Sequence, residues 1–288
     1  MGIKVGDMVT RISYNHDLLF RVIEINDQLA TLFGEDVRLI ADAPLSDLVE
    51  IDDKEYKDRQ KKEKEKQDQS YRLFRQDYNL IRQRSEYNAS NGYAESETYF
   101  QMPGRVLHLD GDPVYLQKCK ALYERLGVPF FGVHLDEKEM PDKVGKFIEQ
   151  LRPDILVVTG HDAYIKSKGR QTDLKAYRHS RYFVQTVNEA RKKIPNLDQL
   201  VIFAGACQSH FESLIRAGAN FASSPTRINI HALDPVYIVA KISYTPIKDH
   251  INVWDVIRNT LTGEKGLGGI ETKGLLRIGL PYRKYEYE

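Results

Sequence analysis

The stretch LVIFAGACQSHFESLIRAG, residues 200–218, decides the fold prediction. It opens with a continuous apolar run, which is typical of a strand buried on both faces of a sheet. It continues with helical spacing that stops at Gly218. The run DILVVTGHD at residues 154–162 contains a second strand of the same kind. Buried strands that alternate with helices indicate a parallel sheet covered by helices.

The alternation of strand and helix extends over residues 103–288. The other predicted strands are RVLHL (105–109), VPFFGVHL (128–135) and NFASS (220–224), and further helices are expected near 113–126, 140–151 and 173–193. We therefore predict an α/β domain with a parallel, doubly wound sheet over this part of the chain.

Residues 1–51 have a different pattern and are predicted to form a small β domain. Short apolar or alternating runs at 18–25, 28–34 and 37–42 are split by turn residues. Four or five strands of this length suggest an SH3-like barrel. Such barrels usually bind or position partners, and no residue here suggests catalysis.

Residues 52–102 are predicted to be a charged helical or flexible linker. Its first part, DDKEYKDRQKKEKEKQDQ, mixes acids with bases, which favours a solvated helix or a disordered linker over a nucleic-acid patch. A stripe of apolar side chains follows, and we expect it to dock on a neighbouring domain. The stripe consists of Tyr71, Phe74, Tyr78 and Ile81. A flexible loop is expected at 88–98.

Charge and cysteine content limit the partners of the chain. The 288 residues include 42 basic and 41 acidic side chains, so no global field attracts nucleic acid or an anionic membrane. No apolar run is long enough for a bilayer, and the first residues lack the apolar core of a signal peptide. With only Cys119 and Cys207, we expect a reducing, intracellular compartment.

Candidate catalytic residues follow the predicted strands. Ligands of an open parallel sheet bind outside the carboxyl ends of its strands. Asp110 and Asp112 follow the first strand, His161 and Asp162 follow the third, and Cys207 follows the fourth. A histidine and a cysteine therefore leave neighbouring strands at the same edge of the sheet.

This pair suggests a nucleophile and its base. We expect Cys207 at a helix start, where the partial positive charge would lower the thiol pKa and free N–H groups could hold an oxyanion. His161 would take the thiol proton and return it to the leaving amine. His210 and His231 are the rival bases.

No metal or other cofactor is expected. The sequence has no CxxC, HExxH or HxxxH spacing, which disfavours a zinc site. The glycine-rich stretch at 263–274 lacks the GK[ST] ending of a phosphate loop, so we interpret it as a mobile loop that could close over the cleft.

Several long blocks resemble the YabG sporulation protease family. They include VVTGHDAYIKSKG, YRHSRYFVQTVNEAR, LVIFAGACQSHFESLIRAGANFASS and NTLTGEKGLGGIETKG, and the opening VGDMVTRISYNHDLLFRVI is similar too. The order TGHD and then GACQS, with Cys207 46 positions after His161, also resembles the caspase-like cysteine peptidases. A caspase-like fold for residues 103–288 is what this resemblance implies.

The resemblance implies a cysteine endopeptidase of sporulating Firmicutes that uses Cys207 and His161. It would act in the mother cell cytoplasm or at the developing coat, on coat and cortex-associated proteins and germination-protein precursors, and would cut beside arginine. An arginine pocket needs a carboxylate. Asp110 and Asp112 are the candidates, with Asp162 and Asp234 in reserve. Oxyanion donors would be the backbone N–H groups of Cys207 and Asp162, although the caspase-like pattern has glycine at the second position.

Three further hypotheses stay open at this point. The chain could be a thiol hydrolase similar to glutamine amidotransferases, with His231 or His210 as the base of Cys207. It could also be a non-catalytic coat scaffold in which Cys207 is an ordinary buried thiol. Finally, a peptidase could cut its own linker within residues 52–85, because that segment is rich in lysine and arginine.

Overall fold

The computed structural model describes residues 2–90 and 100–279. The first unit is an antiparallel sheet of five strands in the order β4-β3-β2-β1-β5. Its strands are Met8–Arg11 (β1), Phe20–Asn26 (β2), Leu29–Gly34 (β3), Ile40–Pro44 (β4) and Leu48–Glu50 (β5). An N-terminal antiparallel β unit, as the alternating runs predict, is therefore present.

A single helix, Asp53–Ser90 (α1), occupies most of the predicted linker. Its apolar stripe docks on the second unit, because Phe74 is buried and the Tyr78 ring lies 4.9 Å from the Tyr244 ring. Asp77 adds an ion pair of 2.9 Å with Lys241. The docking prediction is confirmed. Most of the loop predicted at 88–98 lies outside the described residues.

The second unit contains a six-stranded sheet in the order β13-β11-β10-β9-β7-β8, in which only β13 is antiparallel. The strands are Val106–Asp110 (β7), Phe130–His134 (β8), Ile155–Thr159 (β9), Val201–Ala204 (β10), Phe221–Ser223 (β11) and Leu267–Gly269 (β13). The five parallel strands thus have the chain order 2-1-3-4-5 of flavodoxin-like sheets.

Helices cover both faces of this sheet. Alternate residues of each strand face different cores, so that Val157 packs in one core and Leu156 and Val158 pack in the other. The helices are Pro113–Leu126 (α2), Met140–Leu151 (α3), Ser180–Lys193 (α4), Phe211–Arg216 (α5), Asp234–Tyr244 (α6) and Val253–Ile257 (α7). Helices α2 and α6 cover the first core, and α3, α4 and α5 cover the second.

Short strands complete the structure. They are Phe100–Met102 (β6), His250–Ile251 (β12), Thr272–Lys273 (β14) and Arg277–Gly279 (β15), paired as β6 with β15 and β12 with β14. The glycine-rich stretch contributes β13, which hydrogen-bonds to β11 at the sheet edge, so the prediction of a closing loop at 263–274 is wrong. In the part of the chain that the structure describes, no helix has the length and apolar character needed to cross a bilayer.

Candidate active site

Asp112 and His161, two of the predicted site residues, meet between β7 and β9. The strand order of the sheet reverses its direction at this point. Asp112 caps helix α2, since one carboxylate oxygen accepts from the N–H groups of Val114 (2.7 Å) and Tyr115 (3.0 Å). Its other oxygen lies 2.8 Å from His161 Nε2. Although burial opposes ionisation, the hydrogen bond with His161 lowers the pKa of Asp112. An ionised Asp112 accepts a hydrogen bond from Nε2–H, so Nδ1 of His161 carries the lone pair.

Glu137 holds the backbone of His161, a role that no motif or spacing indicated. Its carboxylate accepts from His161 N at 2.8 Å. A Cβ on Gly111 or Gly160 would come within 2.2 Å and 2.4 Å of the Glu137 carboxylate, so both neighbouring loops require glycine. His179 is half-buried, and its Nδ1 lies 2.7 Å from His161 O. These contacts fix where the imidazole of His161 can lie.

Cys207 lies at the matching position of the neighbouring strand. The pairing of Ala204 with Val158 has an offset of 46 residues, the same offset that separates Cys207 from His161. The loop turns sharply there, with Gly205 at φ 109°. Adjacent strands lie about 4.8 Å apart, which brings both loops to one edge. The Tyr115 ring packs beside the first of these loops, with its centroid 5.6 Å from that of the His161 ring.

The thiol itself is fully buried. Cys207 Sγ accepts from Ile230 N at 3.3 Å and lies 3.6 Å from Ile230 O. Burial raises the pKa of the Cys207 thiol to about 12, and the nearby Ile230 backbone and Arg38 only partly offset it. The predicted helix start is wrong, because α5 begins at Phe211, beyond Cys207. The expected lowering of the thiol pKa is therefore also wrong for this conformation.

Asp162 is buried, and its carboxylate accepts hydrogen bonds from groups in and around the loops after β9 and β10. Its carboxylate accepts from Ser180 Oγ and from Ser209 Oγ (2.9 Å), and from the N–H groups of His179 (2.8 Å) and Ala163 (2.9 Å). Burial nevertheless raises the pKa of Asp162. The side chain thus ties the loop after β9 to the loop that carries the cysteine.

The two N–H groups predicted to hold an oxyanion are available. Among the described residues, neither Cys207 N nor Asp162 N donates a hydrogen bond to another backbone group. The next residue, Gln208, has φ 55°, and its Oε1 accepts from Tyr164 N at 3.2 Å. The loop after Cys207 is therefore cross-linked to the loop after His161.

The rival histidines have partners on both ring nitrogens. His210 Nδ1 accepts from Ser213 N at 3.3 Å, and its Nε2 lies 3.1 Å from Thr172 O. His231 Nδ1 accepts from Leu233 N at 3.0 Å, and its Nε2 lies 3.0 Å from Glu63 Oε1. Among the described residues, His161 Nδ1 and His231 Nε2 are both buried without a hydrogen bond. The His231 nitrogen still has the Glu63 carboxylate as an ion-pair partner at 3.0 Å. His161 Nδ1 has no such partner among the described residues.

The carboxylates predicted for an arginine pocket all lie near this edge. Asp110 is fully buried and binds the guanidinium of Arg38 with Nη1 distances of 2.9 and 2.8 Å. Burial would raise the pKa of Asp110, but the Arg38 charge outweighs it and lowers the pKa to about 2. The reserve candidate Asp234 accepts from Leu261 N at 2.7 Å. Sequence reasoning did not connect Arg38 with Asp110.

Possible metal ligands cluster at two places within the described residues. Two groups of side chains hold ligand atoms within 4.8 Å of one another: His108, Asp110 and Cys119, and Asp36, Glu63 and His231. In the first group, the Arg38 guanidinium donates to Asp110 and to Cys119. In the second, the N–H donated by Leu233 to His231 Nδ1 leaves the proton on Nε2, which then has no lone pair for a cation. Neither group fits a metal ion.

Comparison with known proteins gives the family. A model of the family described as YabG peptidase U57 matches residues 4–281. The chain belongs to the YabG peptidase U57 family. The sporulation-specific protease YabG of Bacillus subtilis (strain 168) is 61% identical over 288 residues, which cover 98% of this chain and 99% of the relative. No solved structure matches the chain significantly. As a member of the YabG peptidase family, the chain is a peptidase, and its substrates are proteins.

Proposed function

We propose that this peptidase is a cysteine endopeptidase with Cys207 as nucleophile and His161 as general base. The supporting observation is the free Nδ1 of His161, at the strand end that matches the position of Cys207. The imidazole takes the thiol proton, and Sγ attacks the carbonyl carbon of the scissile bond. Backbone N–H groups of Cys207 and Asp162 hold the oxyanion. His161 then protonates the leaving amine, and water hydrolyses the thioester.

Asp112 orients His161 in this mechanism. Its carboxylate is fixed by the N-terminus of α2 and accepts from His161 Nε2, so the ring presents Nδ1 as the base. This role replaces the one predicted for Asp112 in the arginine pocket. A positioning carboxylate needs no exposure to substrate, in agreement with the burial of Asp112.

Asp110 is the residue that we propose to recognise an arginine side chain before the cut. Its carboxylate leaves the same strand end as Asp112, and its pairing with Arg38 supports a site of the size and charge that a guanidinium needs. The carbonyl of Ala232 accepts a further hydrogen bond from Arg38 at 3.2 Å. A guanidinium group, whose N–H donors lie in one plane, therefore has hydrogen-bond acceptors on two sides at this position.

The wider setting is proposed from the named relative and from the sequence resemblance. The relative is a sporulation-specific protease. We propose that this chain acts during sporulation, in the mother cell cytoplasm or at the developing coat, on coat and cortex-associated proteins and germination-protein precursors. The domain boundaries 1–51, 52–102 and 103–288, the SH3-like barrel and the caspase-like fold belong to the same proposal. The linker cleavage within 52–85 stays a prediction.

The Asp112→Asn variant is expected to lower kcat by about 10- to 100-fold, with a smaller change in KM. The loss should be moderate because a thiol is a strong nucleophile and needs less assistance than a serine hydroxyl. An amide can still cap α2, so the fold should persist. Hydrolysis of a fluorogenic arginyl peptide measures both constants. An unchanged pH profile and unchanged kcat would contradict the positioning role.

The proposed function is tested with a peptidyl arginyl chloromethyl ketone, which alkylates a nucleophile while its arginine occupies the pocket. Mass spectrometry should find one adduct, on Cys207, and hydrolysis should stop in proportion to labelling. The matched leucyl ketone should label much more slowly. An adduct on another residue, or complete inhibition without an adduct on Cys207, would contradict the assignment of the nucleophile. Equal labelling by both ketones would contradict the arginine preference.

A further inference from the structure

The loop between β3 and β4, residues 35–39, lies over the candidate active site, and we call it the covering loop. Helix α2 holds it at two points. The Tyr115 hydroxyl donates to Val37 O at 2.6 Å, and Lys118 Nζ donates to Glu35 O at 2.6 Å. Tyr115 also packs against His161. The N-terminal sheet therefore reaches the catalytic edge of the second unit through this loop.

The covering loop pairs with the chain that follows β11. Ala232 N donates to Asp36 O at 2.9 Å, and Val37 forms an antiparallel bridge with His231. The adjacent Ile230 is the residue that contacts the Cys207 thiol. Extended peptides bind many proteins by adding a strand in this way. The loop thus occupies a strip of backbone that a peptide substrate would pair with.

Arg38 extends from the covering loop into the acidic pocket. Its side chain is 0% exposed. The guanidinium donates to Asp110, to Ala232 O and to Cys119 Sγ, the last at 3.3 Å. A buried arginine is costly unless its charge is paired and its donors are used. These contacts satisfy that requirement.

The covering loop also closes access to the thiol. Two clefts, of about 720 and 250 Å³, flank the loop, the first lined by Asp36 and Val37 and the second by Leu39. Neither of these clefts is lined by Cys207 or His161. Because Cys207 is 0% exposed, its thiol is closed off from both clefts.

We propose that the covering loop is an intramolecular inhibitor that binds the active site as a substrate mimic, with Arg38 in the pocket for the residue before the cut. This inference rests on the proposed function. Leu39 N donates to Val37 O at 2.8 Å, which folds the chain tightly at Arg38. The bond after Arg38 is thus held in a turn and not in the extended form of a substrate, so the loop blocks the site without being cut. The enzyme is latent until the loop leaves.

The rate at which iodoacetamide alkylates Cys207 in the native protein measures this closure. The alkylation rate is proportional to the fraction of molecules in which the covering loop has left the site. Arg38→Met should raise this rate about tenfold or more. Lys118→Met should raise it about threefold, and this variant leaves no buried carboxylate unpaired. The kcat/KM for an arginyl peptide should rise by similar factors. Arg11→Met is the matched control: it removes an arginine that pairs with Asp47 in the same sheet, and it should change the rate less than twofold.

Alkylation is followed by peptide mass spectrometry, together with the melting temperature of each variant. If Arg38→Met does not fold, Lys118→Met decides the question. Rates for folded Arg38→Met and Lys118→Met that match the wild type would overturn the proposal. Faster alkylation without faster hydrolysis would also overturn the inhibitory role. Activity that survives in Cys207→Ala would instead contradict the proposed function, and would leave the alkylation result unaffected.

Discussion

Replacing Cys207 by Ala is expected to lower kcat/KM for protein substrates by about 10⁴-fold or more, because the reaction loses its nucleophile. Cys207→Ser should be nearly as inactive, since a serine hydroxyl is a far weaker nucleophile than a thiolate. The side chain is small and its Sγ contacts the backbone of Ile230 only weakly, so both variants should fold. The measurement is cleavage of a denatured protein substrate, with product termini mapped by mass spectrometry.

Two controls make this result decisive. The melting temperature of each variant shows whether a loss of activity reflects unfolding. Wild type that is treated with iodoacetamide under mildly destabilising conditions should lose activity in proportion to the alkylation of Cys207. Purified Cys207→Ala with activity within tenfold of the wild type would contradict the cysteine mechanism and would favour a different nucleophile in this peptidase.

The sequence predicted that Asp112 and His161 leave strands at the same edge of the sheet, although it assigned Asp112 to an arginine pocket and not to His161. Both residues follow strands with long apolar runs, and parallel strands place their carboxyl ends at one edge. Their side chains lie 2.8 Å apart. The helix after Asp112 was equally clear, because Asp112 and Pro113 are a typical cap and first helical residue. Local rules therefore account for this half of the candidate site.

The placement of Cys207 shows where local rules fail. The spacing of residues 208–218 suggested a helix beginning near the cysteine. The side chains of Ser209 and His210 change that outcome, because Ser209 Oγ accepts from Ala206 N at 2.9 Å and His210 accepts from Ser213 N. Polar side chains that bind nearby backbone groups compete with a helix. The helix therefore starts only at Phe211.

Arg38 could not be found from the sequence at all. A lone arginine in a short alternating strand is usually a solvated surface residue. Its partner Asp110 is 72 residues further along the chain and belongs to another unit. The contact depends on how two units dock, and periodicity carries no information about docking.

The docking of α1 could not be predicted from its charged first part either. That sequence is compatible with a docked helix and with a disordered linker.

The His161→Gln variant is expected to lower kcat/KM by about 10³-fold or more, because glutamine can keep a hydrogen bond with Asp112 but cannot accept and return a proton at neutral pH. His210→Gln and His231→Gln are the matched variants. Both should stay within about tenfold of the wild type, because the polar contacts on both ring nitrogens give these histidines structural roles.

A pH profile distinguishes this assignment from its rivals. Wild-type kcat/KM should depend on pH, and this dependence should be lost in His161→Gln but persist in the other two variants. A pH dependence that is lost only in His231→Gln, together with an equally large loss of activity, would assign the base to His231. That result would favour a thiol hydrolase arrangement with the histidine after the cysteine. His231 also borders the covering loop through its bridge to Val37. A rise in the activity of His231→Gln would therefore indicate release of the loop and not loss of a base.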